Sequence, residues 1–417
     1  MADSRVIVNA RLPQRSGLYQ IAIEAGQISA IAPQTKPQTK PQTKPQIEPF
    51  HHKVDSTTTG STDSYIDVKG DWISPGAIDL QINGALGLAF PDVRVEQLER
   101  LQDICELLWH QGISEFCPTL VTTSLKSFHG SLEAIQTFRH RQKQRLLPRS
   151  ATVLGAHLEG PFLNPAKKGA HPSEHLQPLT LETLKRVVDK FADTICIVTL
   201  APEQATEDVI PWLIDQNITV SLGHSLATEE QASTAFDQGA HMVTHAFNAM
   251  PALHHRKPGL LGAALVDPDV FCGFIADGEH ISKTMLDLLL RLDRAGDGRN
   301  RNDSDKQNRR ARRLFLVSDA LSPLGLPDGI YPWDSRQINV VNGTARLLEG
   351  TLSGTTLPLI AGAQNLVRWG LCSVEEAIAL VTITPRFAIG QPELEVHQLA
   401  QLLRWSYQTD QLQWQWL

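Results

Sequence analysis

The sequence predicts an α/β fold: eight parallel strands closed into a barrel and ringed by helices, with a small β-sandwich domain made from both chain ends. Three observations lead there. Eight short apolar runs recur along the 417 residues, each ending in polar residues or glycine. Amphipathic stretches with apolar residues at three- and four-residue spacing separate most of them. The two chain ends carry strand-like patterns of their own. Alternating strand and helix requires a parallel sheet, and eight strands is the number that closes a (β/α)8 TIM-type barrel. An open doubly wound sheet shares the alternation, but no phosphate-binding GxGxxG follows the first run.

The elements follow in order. Residues 5–31 alternate (Val6, Val8, Tyr19, Ile21, Ile23, Ile28, Ile31), with Gly17 and Gly26 at turns. TKPQ then repeats three times over 35–46, and the polar tract continues to about residue 64. With no apolar face it is expected to be a solvated, mobile insertion, about 33–64. The apolar runs are 77–82, 113–119, 152–159, 195–201, 218–224, 241–245, 271–277 and 314–319. Helix-like segments between them include 96–110, 125–139, 181–191, 204–215 and 228–238. A second polar tract, 296–313, has a basic end that reads as a solvated loop. Two apolar pieces, 399–403 and 412–417, return to the N-terminal strands. The expected domains are 1–72 with 386–417, and a barrel over 73–385.

Composition narrows the class. With 41% hydrophobic residues the chain can bury a large core, and a formal charge of -7 argues against a general nucleic-acid or membrane-surface binder. No stretch approaches the ~18 apolar residues of a membrane span, and residues 1–12 lack the apolar segment of a secretory signal. Cys105, Cys117, Cys196, Cys272 and Cys372 are odd in number and lack CxxC spacing. They read as reduced core residues of a cytoplasmic protein.

Five runs end in residues that are costly to bury unpaired: Glu159 in HLEGP, His224 in LGHS, His245 in THAFNAM, Asp277 in ADGEH and Asp319 in VSDA. In a barrel these ends share one rim, where catalytic groups gather. Taken singly, a strand-end His is more often hydrogen-bonded structure, Glu159 could cap a segment and Asp319 a turn. Their joint occurrence implies a common partner, because an unpaired buried charge costs kilocalories. One divalent cation satisfies Glu159, His224 and His245 together and leaves a coordination position for water. Zinc suits this set; iron, manganese and cobalt bind it too.

Those residues sit in segments that, in order along the chain, resemble the N-acetylglucosamine-6-phosphate deacetylases of the amidohydrolase superfamily. The segments are PGAIDLQINGALG (75–87), HLEGPFLNPAKKGAH (157–171), LGHSLA (222–227), THAFNAMPALHHRKPG (244–259), ADGEH (276–280), VSDA (317–320) and GTLSGTTL (350–357). The resemblance implies attack by metal-activated water on the acetamido group, releasing glucosamine 6-phosphate and acetate. It implies Glu159, His224 and His245 as metal ligands and Asp319 as the acid/base. His171 and Ala170 fall near the acetamido group and sugar. Asn248, Ala249, Arg256 and His280 match substrate and phosphate contacts, with Asp277, Gly278 and Glu279 lining the same loop, and Leu352, Ser353 and Gly354 a further sugar-binding loop. Arg256 matches an arginine that reaches the neighbouring site of a homodimer.

Elementary chemistry agrees. Amide hydrolysis needs an activated nucleophile, a polarised carbonyl and a protonated leaving nitrogen, which a metal, a carboxylate and an imidazole donor supply. Where many amidohydrolases carry His-x-His for a second metal, this chain has Gln81 and Asn83. Neutral amides are weak ligands, so one metal per chain is expected. Two other readings remain. One is hydrolysis of another amide or a cyclic imide, disfavoured by the missing His-x-His and by the lack of a strand-end lysine. The other is a catalytically silent sugar-phosphate binder, disfavoured by the retention of Asp319 and the ligands.

Overall fold

The structure, a computed structural model, describes residues 4–37, 64–144, 148–296, 312–333 and 336–417. Most of the expected insertion at 33–64 and of the tract at 296–313 lies outside the described residues. The chain divides into two compact units, Met1–Gly76 with Pro392–Leu417, and Ala77–Gln391.

The first unit holds two sheets. One joins Ser4–Ala10, Leu18–Glu24 and Gln27–Gln34 antiparallel, with Ser64–Asp67 added in parallel beside Ser4–Ala10. The other pairs Leu402–Gln408 with Trp72–Pro75 and Gln411–Trp416, all antiparallel. Inward positions of both sheets (Ile7, Ile21, Ile28, Ile73 and Leu402) form one core. Ala25–Gly26 and Thr409–Asp410 both have positive φ, the geometry of two-residue turns that match strand twist.

The second unit is the barrel. Its strands are Ala77–Ile82, Ile113–Val121, Ala156–Glu159, Ile195–Leu200, Thr219–Leu222, Met242–Val243, Phe271–Phe274 and Leu314–Leu316, each parallel to the next. The seam between the first and eighth strands is closed by residues that follow the eighth strand. There Asp319 N–H donates to Gln81 O at 2.8 Å, and Asn83 N–H to Ala320 O at 2.8 Å.

Helices follow the strands for ordinary reasons. Leu98–His110 buries Leu101, Ile104, Cys105 and Leu108, one apolar stripe. Thr180, Thr228 and Ser373 cap helices by accepting the third residue's N–H. The expected helix over 181–191 ends at Val188, because Asp189 turns to φ 44°. The barrel interior packs Ile78, Leu80, Cys117, Ile197, Met242, Ile275 and Phe315. Among the described residues no helix is long and apolar enough to cross a membrane.

Two features differ from the sequence reading. A four-stranded antiparallel sheet (Gly329–Trp333, Arg336–Val341, Thr344–Leu347 and Leu352–Thr355) stands between the eighth strand and its helix Leu359–Arg368. It buries Leu321, Ile338, Val340 and Ala345. The basic end of the second polar tract is also not simply solvated. Arg312 and Arg294 both pair with Glu376, and Arg313 N–H donates to Asp293.

Candidate active site

The rim at the strands' C-terminal ends gathers residues from at least five strands. Glu159 is the last residue of the third strand, whereas His224, His245 and Asp319 lie two or three residues beyond theirs. All three of these adopt left-handed backbone, with φ 50°, 29° and 49°. Such geometry costs of order 1 kcal/mol or more per residue and persists only where the surroundings enforce it. It is therefore a structural mark of the site that composition could not reveal.

Three ligand-type atoms converge. Glu159 Oε1 lies 3.1 Å from His224 Nε2 and 3.0 Å from His245 Nε2, and the two imidazole nitrogens are 3.0 Å apart. All three side chains are at most 6% exposed. His224 Nδ1 lies 2.8 Å from Lys167 O. A carbonyl can only accept, so Nδ1 carries the proton and Nε2 of the neutral ring presents its lone pair to the cluster. The carboxylate oxygen and that lone pair both seek a positive partner, so the residues fit a divalent cation. His171 stands beside them, its Nε2 3.9 Å from Glu159 Oε2. Ligand atoms of Glu159, His171 and His224 lie within 4.8 Å of one another, so distance alone leaves His171 and His245 competing as third ligand.

Electrostatics follow the geometry. Burial alone would raise Glu159, yet the close imidazoles of His224 and His245 hold its carboxyl well below the usual range. Burial likewise opposes a charge on His245, but Glu159 lifts its pKa above the ordinary value. Burial pushes His171 down to about 3. Asp319 is pushed up to about 6, first by burial and then by the Glu159 charge.

Gln81 and Asn83 face the two carboxylates. Gln81 Nε2 donates to Glu159 Oε1 at 2.9 Å and to Asp319 Oδ1 at 3.3 Å, and Asn83 Nδ2 to Asp319 Oδ1 at 2.7 Å. Each amide must turn its nitrogen inward, because its oxygen would meet only acceptors. Beneath them runs a buried polar layer. His157 Nδ1 donates to Leu80 O, its Nε2 meets Thr199 Oγ1 at 2.7 Å, and Thr199, Thr244 and Ser221 follow at 2.7 and 2.6 Å.

The other expected residues are distributed around this centre. Asp277 Oδ2 meets His280 Nδ1 at 2.6 Å, while its Oδ1 accepts the Glu279 and His280 N–H groups. Gly278 takes φ 86°, and Glu279 pairs with Arg346 at the surface. Asn248 Nδ2 binds His245 O and Ala246 O, stiffening that loop, and Ala249 O accepts the Ser225 N–H. Ala170 O accepts from Arg336. Leu352, Ser353 and Gly354 lie on the last strand of the antiparallel sheet. Arg256 is not brought to the cluster: it is exposed, and its backbone N–H bonds only locally, to His254. Sequence reading missed Thr122, which contacts His171, and the His157–Ser221 layer. Their residue types carry no chemical signature in one sequence.

A barrel rim that gathers carboxylates and imidazoles around one point defines a metal-dependent hydrolase. Residues 72–410 match the model of the Amidohydrolase family, whose members are metal-dependent. An N-acetylglucosamine-6-phosphate deacetylase of Bos taurus is 34% identical over 337 residues, 79% of this chain and 77% of the relative. An N-acetylgalactosamine-6-phosphate deacetylase of Escherichia coli O157:H7 is 32% identical over 319 residues, 76% and 78% of the two chains. The crystal structure of N-acetylglucosamine-6-phosphate deacetylase from Pasteurella multocida superimposes with TM-score 0.76 at 26% identity, covering 99% of this chain and 100% of that one. The chain belongs to the amidohydrolase family, and within it to the N-acetylglucosamine-6-phosphate deacetylases.

Proposed function

We propose that this protein hydrolyses the acetamido bond of N-acetylglucosamine 6-phosphate to give glucosamine 6-phosphate and acetate. The observation that carries the reading is the convergence of Glu159, His224 and His245 within 3.1 Å, with Asp319 tied to the same amides. We assign Glu159, His224 and His245 as ligands of one divalent cation, zinc before iron, manganese or cobalt. Such a cation supplies Lewis acidity, polarising an amide carbonyl and lowering the pKa of water toward about 7.

The chain's own groups do the rest. Asp319 takes a proton from the attacking water as the C–O bond forms, then returns it to nitrogen as the C–N bond breaks. His171 donates from Nε2 to the carbonyl oxygen as negative charge grows there. Gln81 and Asn83 hold Asp319 in place and turn N–H groups toward the carboxylates. Those donors favour anions and disfavour a second cation.

Ala170, Asn248, Ala249, Gly278, Leu352, Ser353 and Gly354 line the sugar's path, and His280, oriented by Asp277, faces its phosphate beside Glu279. Arg256 suits the same phosphate through its planar two-donor fork. Its exposed position fits delivery from a second copy in a homodimer. Five free cysteines suit a cytoplasmic setting. The relative named for N-acetylgalactosamine 6-phosphate supports a second reading, in which the 4-epimer is also cleaved.

The test is acetate release from both sugar phosphates and from unphosphorylated N-acetylglucosamine, with and without chelator. Chelator-sensitive release that requires the phosphate is expected. No release from either phosphate would overturn the proposal.

A further inference from the structure

We infer that Thr122 is a positioning residue: it holds His171 as the tautomer protonated on Nε2, which makes His171 a hydrogen-bond donor and keeps it out of metal coordination. The inference rests on the proposed hydrolytic reading and settles, from hydrogen bonds, the competition between His171 and His245.

Thr122 follows the second strand. Its backbone N–H donates to His171 Nδ1 at 3.2 Å, and its Oγ1 lies 2.9 Å from the same nitrogen. Its hydroxyl also faces Glu159 O at 3.3 Å. The hydroxyl and imidazole protons can relocate, but the amide proton cannot, because the planar peptide fixes its direction. Had His171 carried its proton on Nδ1, two N–H groups would point at each other. Nδ1 must therefore accept, and the ring proton sits on Nε2. That Nε2 is 3.9 Å from Glu159 Oε2, too far for a hydrogen bond, and it keeps its donor for a third group entering between them.

The adjacent ring gives the contrast. His224, 4.6 Å away between ring centroids, has a carbonyl at Nδ1 and so offers a lone pair at Nε2. Two neighbouring imidazoles are thus set to opposite tautomers by the backbone, one by a C=O and the other by an N–H. A ring with a protonated Nε2 cannot ligate through that atom, which leaves His245 to complete the set with Glu159 and His224.

The experiment uses protein labelled with 15N at histidine, zinc-loaded and chelator-stripped, with long-range 1H–15N correlations; His171→Gln assigns the signal. The expected result is a neutral, Nε2-protonated ring in both forms. An Nδ1-protonated ring, or an Nε2 signal shifted by direct zinc coordination, would overturn the inference.

Thr122→Val removes the hydroxyl while keeping the shape. It should lower kcat about two- to tenfold, the effect of losing one hydrogen bond to the ring. KM should change little, metal content should stay at one equivalent, and Thr122→Ser should recover most of the rate. Loss of metal from Thr122→Val, or no rescue by serine, would count against the role. If neither variant folds, the spectrum of the unsubstituted protein still decides. If no sugar phosphate releases acetate, the functional reading fails while the tautomer is still measured.

Discussion

Asp319→Asn should abolish activity while making the metal-free protein more stable at neutral pH. The side chain accepts Asn83 Nδ2 at 2.7 Å and Gln81 Nε2 at 3.3 Å on one oxygen, Oδ1. An asparagine can present its amide oxygen to both donors, so geometry survives while proton transfer is lost. The expected loss is about 10²–10⁴ in kcat, or roughly 3–5 kcal/mol of barrel-rim transition-state stabilisation at about 1.4 kcal/mol per decade.

Stability moves the other way. Burial, followed by the Glu159 charge, raises Asp319 from 3.8 to about 6. At about 1.4 kcal/mol per pH unit the ionised carboxylate opposes folding by at most about 3 kcal/mol. Because the group is only partly buried and can relax into water, about 1–2 kcal/mol is the expected size. The folded-state pKa lies above the unfolded one. The cost is therefore absent below about pH 4, grows as pH rises, and is complete above about pH 6. Urea denaturation of chelator-stripped wild type and variant at pH 4 and pH 7, with acetate release alongside, measures both sides. Undiminished turnover, or a variant less stable than wild type at pH 7, would refute the reasoning.

Three further outcomes are expected. Elemental analysis should find one tight metal equivalent per chain, lost in Glu159→Gln and His245→Ala but retained in His171→Ala; two tight equivalents would refute the one-metal site. Glu376 accepts from Arg294, Arg312 and the Ser373 N–H, and these partners hold it at about 2 against the opposing effect of burial. Glu376→Gln should cost about 1–2 kcal/mol at pH 7 after allowing for solvent screening. With a depressed folded pKa, that contribution is full above about pH 4.5 and fades toward pH 2, so equal urea-midpoint differences at pH 7 and pH 3 would contradict it. Gly160 has φ 88°, and an added Cβ would stand 2.2 Å from Thr122 Oγ1. Gly160→Ala should therefore destabilise the barrel by about 2–4 kcal/mol and slow turnover, whereas a variant with unchanged melting and full activity would show that Thr122 does not need its place.

Much of this architecture is visible in one sequence, and the gaps have physical causes. Strands are traceable because five of the eight apolar runs end abruptly at a group that cannot be buried alone, as at Glu159 and His245. Their ends were set too late: the backbone leaves the sheet at Leu222, Val243 and Leu316, and the following residues turn left-handed to aim side chains inward. The helix Gly259–Val266 has no periodic face to detect, since Gly259 to Ala264 are all buried. The antiparallel sheet at 329–355 did leave a trace, the Asn342–Gly343 turn beside alternating Ile338 and Val340. Thr122 leaves none, because its amide N–H is common to every residue but proline and its hydroxyl is that of any strand-end threonine. Arg256 stands exposed and away from the cluster, which its residue type in one sequence does not reveal.

The seam between the first and eighth strands has a consequence for how the molecule comes together. Gln81 and Asp319 are 238 positions apart, so they meet only when the chain has travelled round the whole ring. The placing of Asp319 therefore depends on a contact of long range, whose ordering entropy must be overcome before the amides reach that carboxylate. Seating of Asp319 against Gln81 and Asn83 then waits on ring closure. A cation bound by the closed ring and not by the open one would act as a latch on it, since the proposed ligand Glu159 accepts the Gln81 amide at the seam. Amide exchange at Asn83 and Asp319, the two seam donors, reports that latch directly: it should slow when metal is added.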